Sequence, residues 1–281
     1  MPLNFDLIGV RSDPVERRWT STDTLLYALG AGAGQMPELE ELAFTTENSS
    51  GVRQRALPTF AVLASSARSG RKLGDFDPAM LVHAEQSFEL HRELPVEGAV
   101  QVTSTVTAIE DKRSGALVTV EGEAVDSASG ELMITTSSSM FIRGEGGFGR
   151  STSATVEWTL PERSPDAQIT YPTRADQALL YRLSGDRNPL HSDPKFAARA
   201  GFPRPILHGL CTYAVTGRAL LHEVCGSDPA RFASMSGRFS RPVFPGQDLT
   251  ISIWQQDDRV LFHTVTGEGE VVIDRGTMRT T

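Results

Sequence analysis

The chain has 281 residues, enough for one large domain or two ordinary ones, and its 39% hydrophobic and 22% charged content allows a packed core. A formal net charge of −8 argues against a nucleic-acid-binding face, and two cysteines, Cys211 and Cys225, cannot build a disulfide framework for this length. The N-terminus lacks a basic segment followed by an apolar one, and no stretch reaches the about 18–20 apolar residues of a membrane span, so a soluble, cytoplasmic setting is expected.

In chain order, the first expected element is a helix over 21–30, ending in the glycine-rich stretch 30–34. A Pro-led apolar run follows at 57–63. Gly70, Gly74 and Pro78 then interrupt the pattern, so no long helix is expected there. Alternating apolar residues predict strands over 100–109, 116–120 and 132–136, antiparallel with one buried face. Residues 144–154 are rich in Gly and Ser without apolar period and read as a linker between domains at 1–143 and 155–281.

The second half repeats this plan. A helix opens near Thr173, with Thr173 and Asp176 suited to a capping box, and Tyr181 stands in the same Leu-Leu-Tyr-x-Leu context as Tyr27. The Pro-led run at 205–210 then begins a long helix toward Gly226, with Pro205 at its first position. Gly209 and Gly217 each weaken that helix by ~1 kcal/mol against Ala. Strands are expected over 249–254, 260–265 and 271–273. A helix-rich start followed by a strand meander in each half is an α+β pattern, not alternating β-α-β.

The densest chemistry lies in 181–191, where Asp186, Asn188 and His191 share a tight turn stiffened by Pro189. The carboxylate, the amide and a ring that titrates near neutrality can hold and deprotonate a water. For Asp186 and Asn188 alone, an Asx turn capped by His191 is the favoured reading; the full eleven-residue string reverses this and favours a preorganised site. Gly209 stands in the first turn of the long helix, where unpaired N–H groups and the helix dipole favour an oxyanion. Its second reading is close packing. His208 reads as a packing or hydrogen-bonding residue rather than a base. His83, His91, His222 and His263 have no acidic or thiol partner at a telling spacing and read mostly as structural. Gly144, Gly146 and Gly149 match a dinucleotide fingerprint formally, but no β-α-β unit surrounds them. Asp186, His191, Asp193 and His208 match no usual metal spacing, so no metal is expected.

The string from Tyr181 to His191 resembles the signature of the MaoC-like (R)-specific enoyl-CoA hydratases, the hydratase 2 family. Residues 238–246 resemble that family's strand-entry motif, and 57–60 and 81–86 resemble the degenerate N-terminal half of its two-domain members. The resemblance implies an α+β double hot-dog fold: two antiparallel sheets packed together, each wrapped on a helix, with the first-half helix shortened or broken. It implies Asp186 and His191 as the catalytic pair with His191 as principal base, Asn188 as the water-orienting amide and Gly209 as the oxyanion-hole donor. The first half lacks an equivalent acid–amide–histidine set, so it is expected to be catalytically silent and to line the substrate tunnel. One departure is Ala84 after His83, where relatives often carry glycine.

The implied reaction is reversible hydration of trans-2-enoyl-CoA to (3R)-3-hydroxyacyl-CoA, with coenzyme A arriving as part of the substrate and no separate cofactor. Arg187, Arg204 and Arg238 lie near the motifs and are candidates for the CoA phosphates. A homodimer is implied as well. The interrupted first-half helix leaves room that favours long or bulky acyl groups, including ring-bearing ones, in fatty-acid or steroid side-chain metabolism. A hot-dog acyl-CoA thioesterase and a non-catalytic acyl-CoA-binding subunit are the alternatives, and the complete Asp/Asn/His set argues against the second.

Overall fold

The computed structural model describes residues 3–36, 40–66, 72–150 and 158–281. Five strands form in the first half: β1 (Val15–Trp19), β2 (Leu81–Leu90), β3 (Gly98–Asp111), β4 (Gly115–Asp126) and β5 (Leu132–Arg143). Five more form in the second: β6 (Ala167–Pro172), β7 (Phe232–Phe239), β8 (Asp248–Gln255), β9 (Val260–Thr266) and β10 (Val271–Thr280). Their order is β1-β3-β4-β5-β2-β7-β10-β9-β8-β6, so one half reads as the other reversed about the β2–β7 seam. Every pairing between these strands is antiparallel, and the seam runs from Glu85 opposite Arg238 to Glu89 opposite Ser234. The two halves make the expected double hot-dog, joined edge to edge into one ten-stranded sheet rather than stacked as separate sheets.

The helices occupy one side of this sheet. They are α1 (Ser21–Gly30), α2 (Leu42–Thr45), α3 (Ala61–Ala64), α4 (Gln177–Tyr181), α5 (Pro194–Arg199) and α6 (Gly209–Cys225). In α6, every residue from 211 to 221 is buried. A helix buried all round needs a partner on each face. The second-half strands cover one face of α6, and first-half segments cover the other: the Arg218 guanidinium donates to the Ala31 carbonyl at 2.9 Å, and Gly217 meets Thr59. A Cβ on Gly217 would collide with the Thr59 side chain, so this glycine is required by the crossing of the two halves. The first-half counterpart of α6 is only the 3₁₀ turn Pro58–Phe60 followed by four-residue α3, as the breakers Gly74 and Pro78 led us to expect. Gly70 lies outside the described residues.

Three local expectations are corrected. Thr173 and Asp176 form no capping box: the Thr173 hydroxyl donates to the Gln247 carbonyl and accepts from the Gly246 N–H, and Asp176 caps α4 without a side-chain bond. The true box is in the first half, where Thr20 and Asp23 bond reciprocally at the start of α1. The long helix begins at Gly209, not Pro205, because His208 adopts an extended backbone (φ −58°, ψ 133°) and acts as its N-cap. The described part of the 144–154 segment is not a free linker. Asp111 accepts from the N–H groups of Gly147 (3.0 Å) and Gly149 (2.6 Å), pinning the segment to the end of β3, while 151–154 lie outside the described residues.

Candidate active site

The chain turns sharply after α4. Gly185 adopts φ 131°, a region open to glycine, and releases the chain from the short 3₁₀ turn Arg182–Ser184 into the Asp186–His191 segment. The Asp186 carboxylate accepts from the Asn188 N–H at 3.0 Å, and the Asn188 side-chain oxygen accepts from the Leu190 N–H at 3.0 Å. The Asx turn anticipated as the structural reading is therefore present, followed by a second at Asn188, and both serve the site. They lock the 3₁₀ turn Pro189–His191, use the Asn188 oxygen and leave its NH₂ group as a donor.

His191 is buried, and its Nδ1 lies 2.9 Å from the Ile206 carbonyl. A carbonyl only accepts, so Nδ1 carries the proton and Nε2 keeps its lone pair as a base. Burial pushes the His191 pKa below the ordinary 6.5, against the opposing pull of that carbonyl and of Asp186. The ring is neutral near pH 7. His208 stacks on it, ring centroids 3.7 Å apart, and packs at 5.0 Å against Tyr181. The His208 Nε2 lies 3.3 Å from the Asp186 carbonyl oxygen, so His208 ties the start of α6 to the Asp186 turn. Burial first, then repulsion from His191, lowers its pKa to about 3, which removes it as a proton carrier.

Side-chain donor atoms of Asp186, His191 and His208 lie within 4.8 Å of one another. That spacing lets one water bridge the Asp186 carboxylate and the His191 ring. It does not suit an ion shared by the histidines. Nearly parallel rings 3.7 Å apart, inclined at 25°, would leave such an ion well out of each ring plane, where no lone pair points.

Gly209 is the first residue of α6, and its N–H has no acceptor within the helix. Asp186, Asn188, His191 and Gly209 all line one cavity of about 920 Å³ that continues into the first half. His83, set aside in the sequence as structural, lines it too, with its Nε2 3.0 Å from the Glu85 carbonyl and its ring against Phe239. Burial lowers its pKa to about 4, although the charge of Asp186 acts the other way. The only advance signal for His83 was its place in the family-like stretch 81–86.

The three candidate CoA arginines are not in the cavity wall. Arg238 is clamped by both carboxylate oxygens of Asp274, Arg204 bonds the Pro245 carbonyl and lies over Phe244, and Arg187 is exposed on the turn. The arginines that line the cavity are Arg17, Arg143 and Arg241. His222, read as structural, has an acidic partner that spacing rules could not show: its Nε2 lies 2.9 Å from Glu41, 181 positions away.

Comparison with known proteins agrees with this fold. Residues 157–276 match the MaoC like domain, and residues 18–144 match the MFE-2 hydratase 2 N-terminal domain. A Mycobacterium tuberculosis protein named 3-hydroxyacyl-thioester dehydratase Y is 48% identical over 98% of each chain. The chain belongs to the MaoC-like hydratase 2 family. A second M. tuberculosis relative, enoyl-CoA hydratase ChsH3, is 39% identical over 97% of each chain. The crystal structure of a MaoC-like dehydratase from Phytophthora capsici superposes with a TM-score of 0.85 at 34% identity, covering 99% of this chain and 98% of that one.

Proposed function

We infer that this member of the family is a hydro-lyase that reversibly hydrates trans-2-enoyl-CoA to (3R)-3-hydroxyacyl-CoA. The observation that carries the reading is the convergence, in one cavity, of an unprotonated His191 Nε2, the Asp186 carboxylate and the free Gly209 N–H. Water held between Asp186 and His191, and steadied by the Asn188 NH₂, gives a proton to His191 while its oxygen bonds to C3. The electron pair of the C2–C3 double bond moves toward the thioester carbonyl, whose oxygen accepts from Gly209. C2 then takes a proton from the same acid–base pair, and the thioester is restored. Positioned acid–base groups contribute roughly 10²–10⁴ in rate, and one oxyanion donor about 10²–10³.

The cavity extends well past the catalytic turn into the first half, which supports long or bulky acyl groups. The first half has no acid–amide–histidine set of its own and serves as wall. Arg17, Arg143 and Arg241 replace the earlier arginines as cations available to the CoA moiety at the cavity. No helix among the described residues is long and apolar enough to cross a membrane. A homodimer and a cytoplasmic setting rest on the sequence expectations; sedimentation of the purified protein tests the first.

Purified protein mixed with crotonyl-CoA, and separately with a longer enoyl-CoA, is expected to bleach the conjugated thioester absorbance without releasing free thiol. Chiral analysis is expected to give the 3R alcohol. Thiol release would indicate thioesterase chemistry instead, and ligand binding without turnover a carrier subunit.

A further inference from the structure

The wall of the cavity in the first half carries a polar patch, set among apolar residues such as Val62, Leu81, Val120 and Met140, where a packed core would be apolar throughout. In the second half, α6 covers the inner face of the sheet, and Ile251, Phe262, Ile273 and Met278 there are buried and apolar. In the first half, α3 packs chiefly on β1 and β2, and the middle of the inner faces of β4 and β5, at Val120, Gly122, Thr136, Ser138 and Met140, is cavity wall between buried apolar ends at Val118, Ala124, Ile134 and Ile142. Strand register places Gln86 opposite Ser138, and in the neighbouring row Thr136 opposite Gly122 and Gly122 opposite Ser104. All five residues line the cavity. An alkyl chain lying on this surface would strip water from hydroxyls and give nothing back.

The hydrogen bonds of these groups are set for an incoming partner. The Gln86 amide NH₂ donates to the Ser87 carbonyl (2.8 Å) and the Ser137 carbonyl (3.4 Å), and its oxygen accepts from the Ser138 hydroxyl at 2.5 Å. Gln86 is therefore rigid, and Ser138, its proton directed away, presents oxygen lone pairs to the cavity. The Thr136 hydroxyl has no hydrogen-bond partner among the described residues, and it sits 2.7 Å from where a Cβ on Gly122 would be. Gly122 thus leaves open the space beside a free donor. Donor and acceptor stand on one strand, two residues apart and on the same face.

We propose that the preferred acyl group carries an oxygen, as a hydroxyl or a ketone, along its chain beyond the reacting double bond, and that Thr136 and Ser138 bind it. Thr136 donates to this oxygen, and Ser138 accepts from it when it is a hydroxyl. The proposal rests on the acyl-CoA reading above and narrows its substrate class from long or bulky to long and oxygenated. A site built around a hydroxyl discriminates strongly against the analogue that lacks it, whereas an apolar pocket does not.

The test uses 2-enoyl-CoA esters of equal chain length, unsubstituted or carrying one hydroxyl at successive positions, with kcat/KM as the readout. At one position or a short run of positions, the hydroxylated ester is expected to exceed the plain ester by about tenfold or more. That ratio should fall toward one in Thr136→Val and in Ser138→Ala, each judged within the same variant so that a general loss of activity cancels. Calorimetric binding of the matching saturated esters reads the same preference without turnover, so it separates this proposal from failure of the hydratase reading. A ratio at or below one at every position in the wild type would overturn the proposal, as would a preference that survives in both variants.

Discussion

At the scale of single residues, the site is a division of labour among groups whose ionisation is set by burial and by backbone carbonyls. The carbonyl of Ile206 fixes the His191 proton on Nδ1, and burial keeps the ring neutral below its ordinary pKa. A base works in its unprotonated form, so activity should persist as pH falls past 6.5 and decline only below it. The acid limb of a kcat/KM profile is therefore expected below the usual histidine range; a limb above 6.5 would contradict the assignment. Gly209 permits a clean deletion of one donor. It is the first helical residue, where proline is tolerated, and His208 before it already has the extended backbone that proline demands. Gly209→Pro should leave the circular dichroism spectrum intact and lower kcat about 10²–10³-fold.

The catalytic turn was legible because all its chemistry falls within six residues, 186–191, and each Asx turn there is built from neighbours in sequence. Which arginines line the cavity was not. Whether Arg238 is available depends on Asp274, 36 positions away, and no local pattern reveals that clamp.

At the scale of elements, the strands found from sequence are those with one face in the core: β3, β4, β5, β8, β9 and β10. The strands missed are β1, β2, β6 and β7. The edges β1 and β6 are short, and β1 carries Glu16, Arg17 and Arg18 in the manner of a protected edge. The central pair β2 and β7 escaped notice for the opposite reason. They lie in the middle of the sheet, yet part of their inner face looks into the cavity, so His83 and Gln86 of β2 stand where core residues would show alternation, while in β7 Gly237 leaves room for Ile273 and Tyr213. The break in apolar pattern thus marks the cavity itself. Gly217 carries the converse message, since a helix-weakening residue was retained at the point where α6 meets Thr59. Gly217→Val should cost about 1–3 kcal/mol in a denaturant titration, as overpacking does, and a change within experimental error would mean that the crossing can yield.

At the scale of the whole molecule, the halves are bound by the sheet seam and by a buried charge cluster on the helix side. Glu41 accepts from Arg218 at 2.5 Å and from the Gly34 N–H at 2.7 Å, and its side chain, like that of Arg218, is withdrawn from solvent. Burial raises the Glu41 pKa, but the His222 hydrogen bond, the Arg218 charge and the Gly34 N–H outweigh it, and the carboxyl titrates below its ordinary 4.5. A carboxyl lowered in the folded state contributes stability that is present above its unfolded pKa and is lost as pH falls through the folded value. Glu41→Gln should therefore flatten the acid side of a stability-against-pH curve. Glu41→Ala, which strands Arg218 in the interior, should cost about 3–5 kcal/mol at neutral pH.

The repeat of two similar halves was readable from matching motifs such as Tyr27 and Tyr181, whose rings meet at 5.8 Å in the folded molecule. The pairing of Glu41 with Arg218 and His222 was not, because it exists only once the halves are assembled.

The central claim is that one site, on the second half alone, performs the chemistry. Its most direct test is the rate of crotonyl-CoA hydration by the wild type, Asp186→Ala and His191→Ala, with thermal melts to show that each variant folds. Each substitution should lower kcat by about 10²–10⁴. Wild-type rates in either folded variant would contradict the claim.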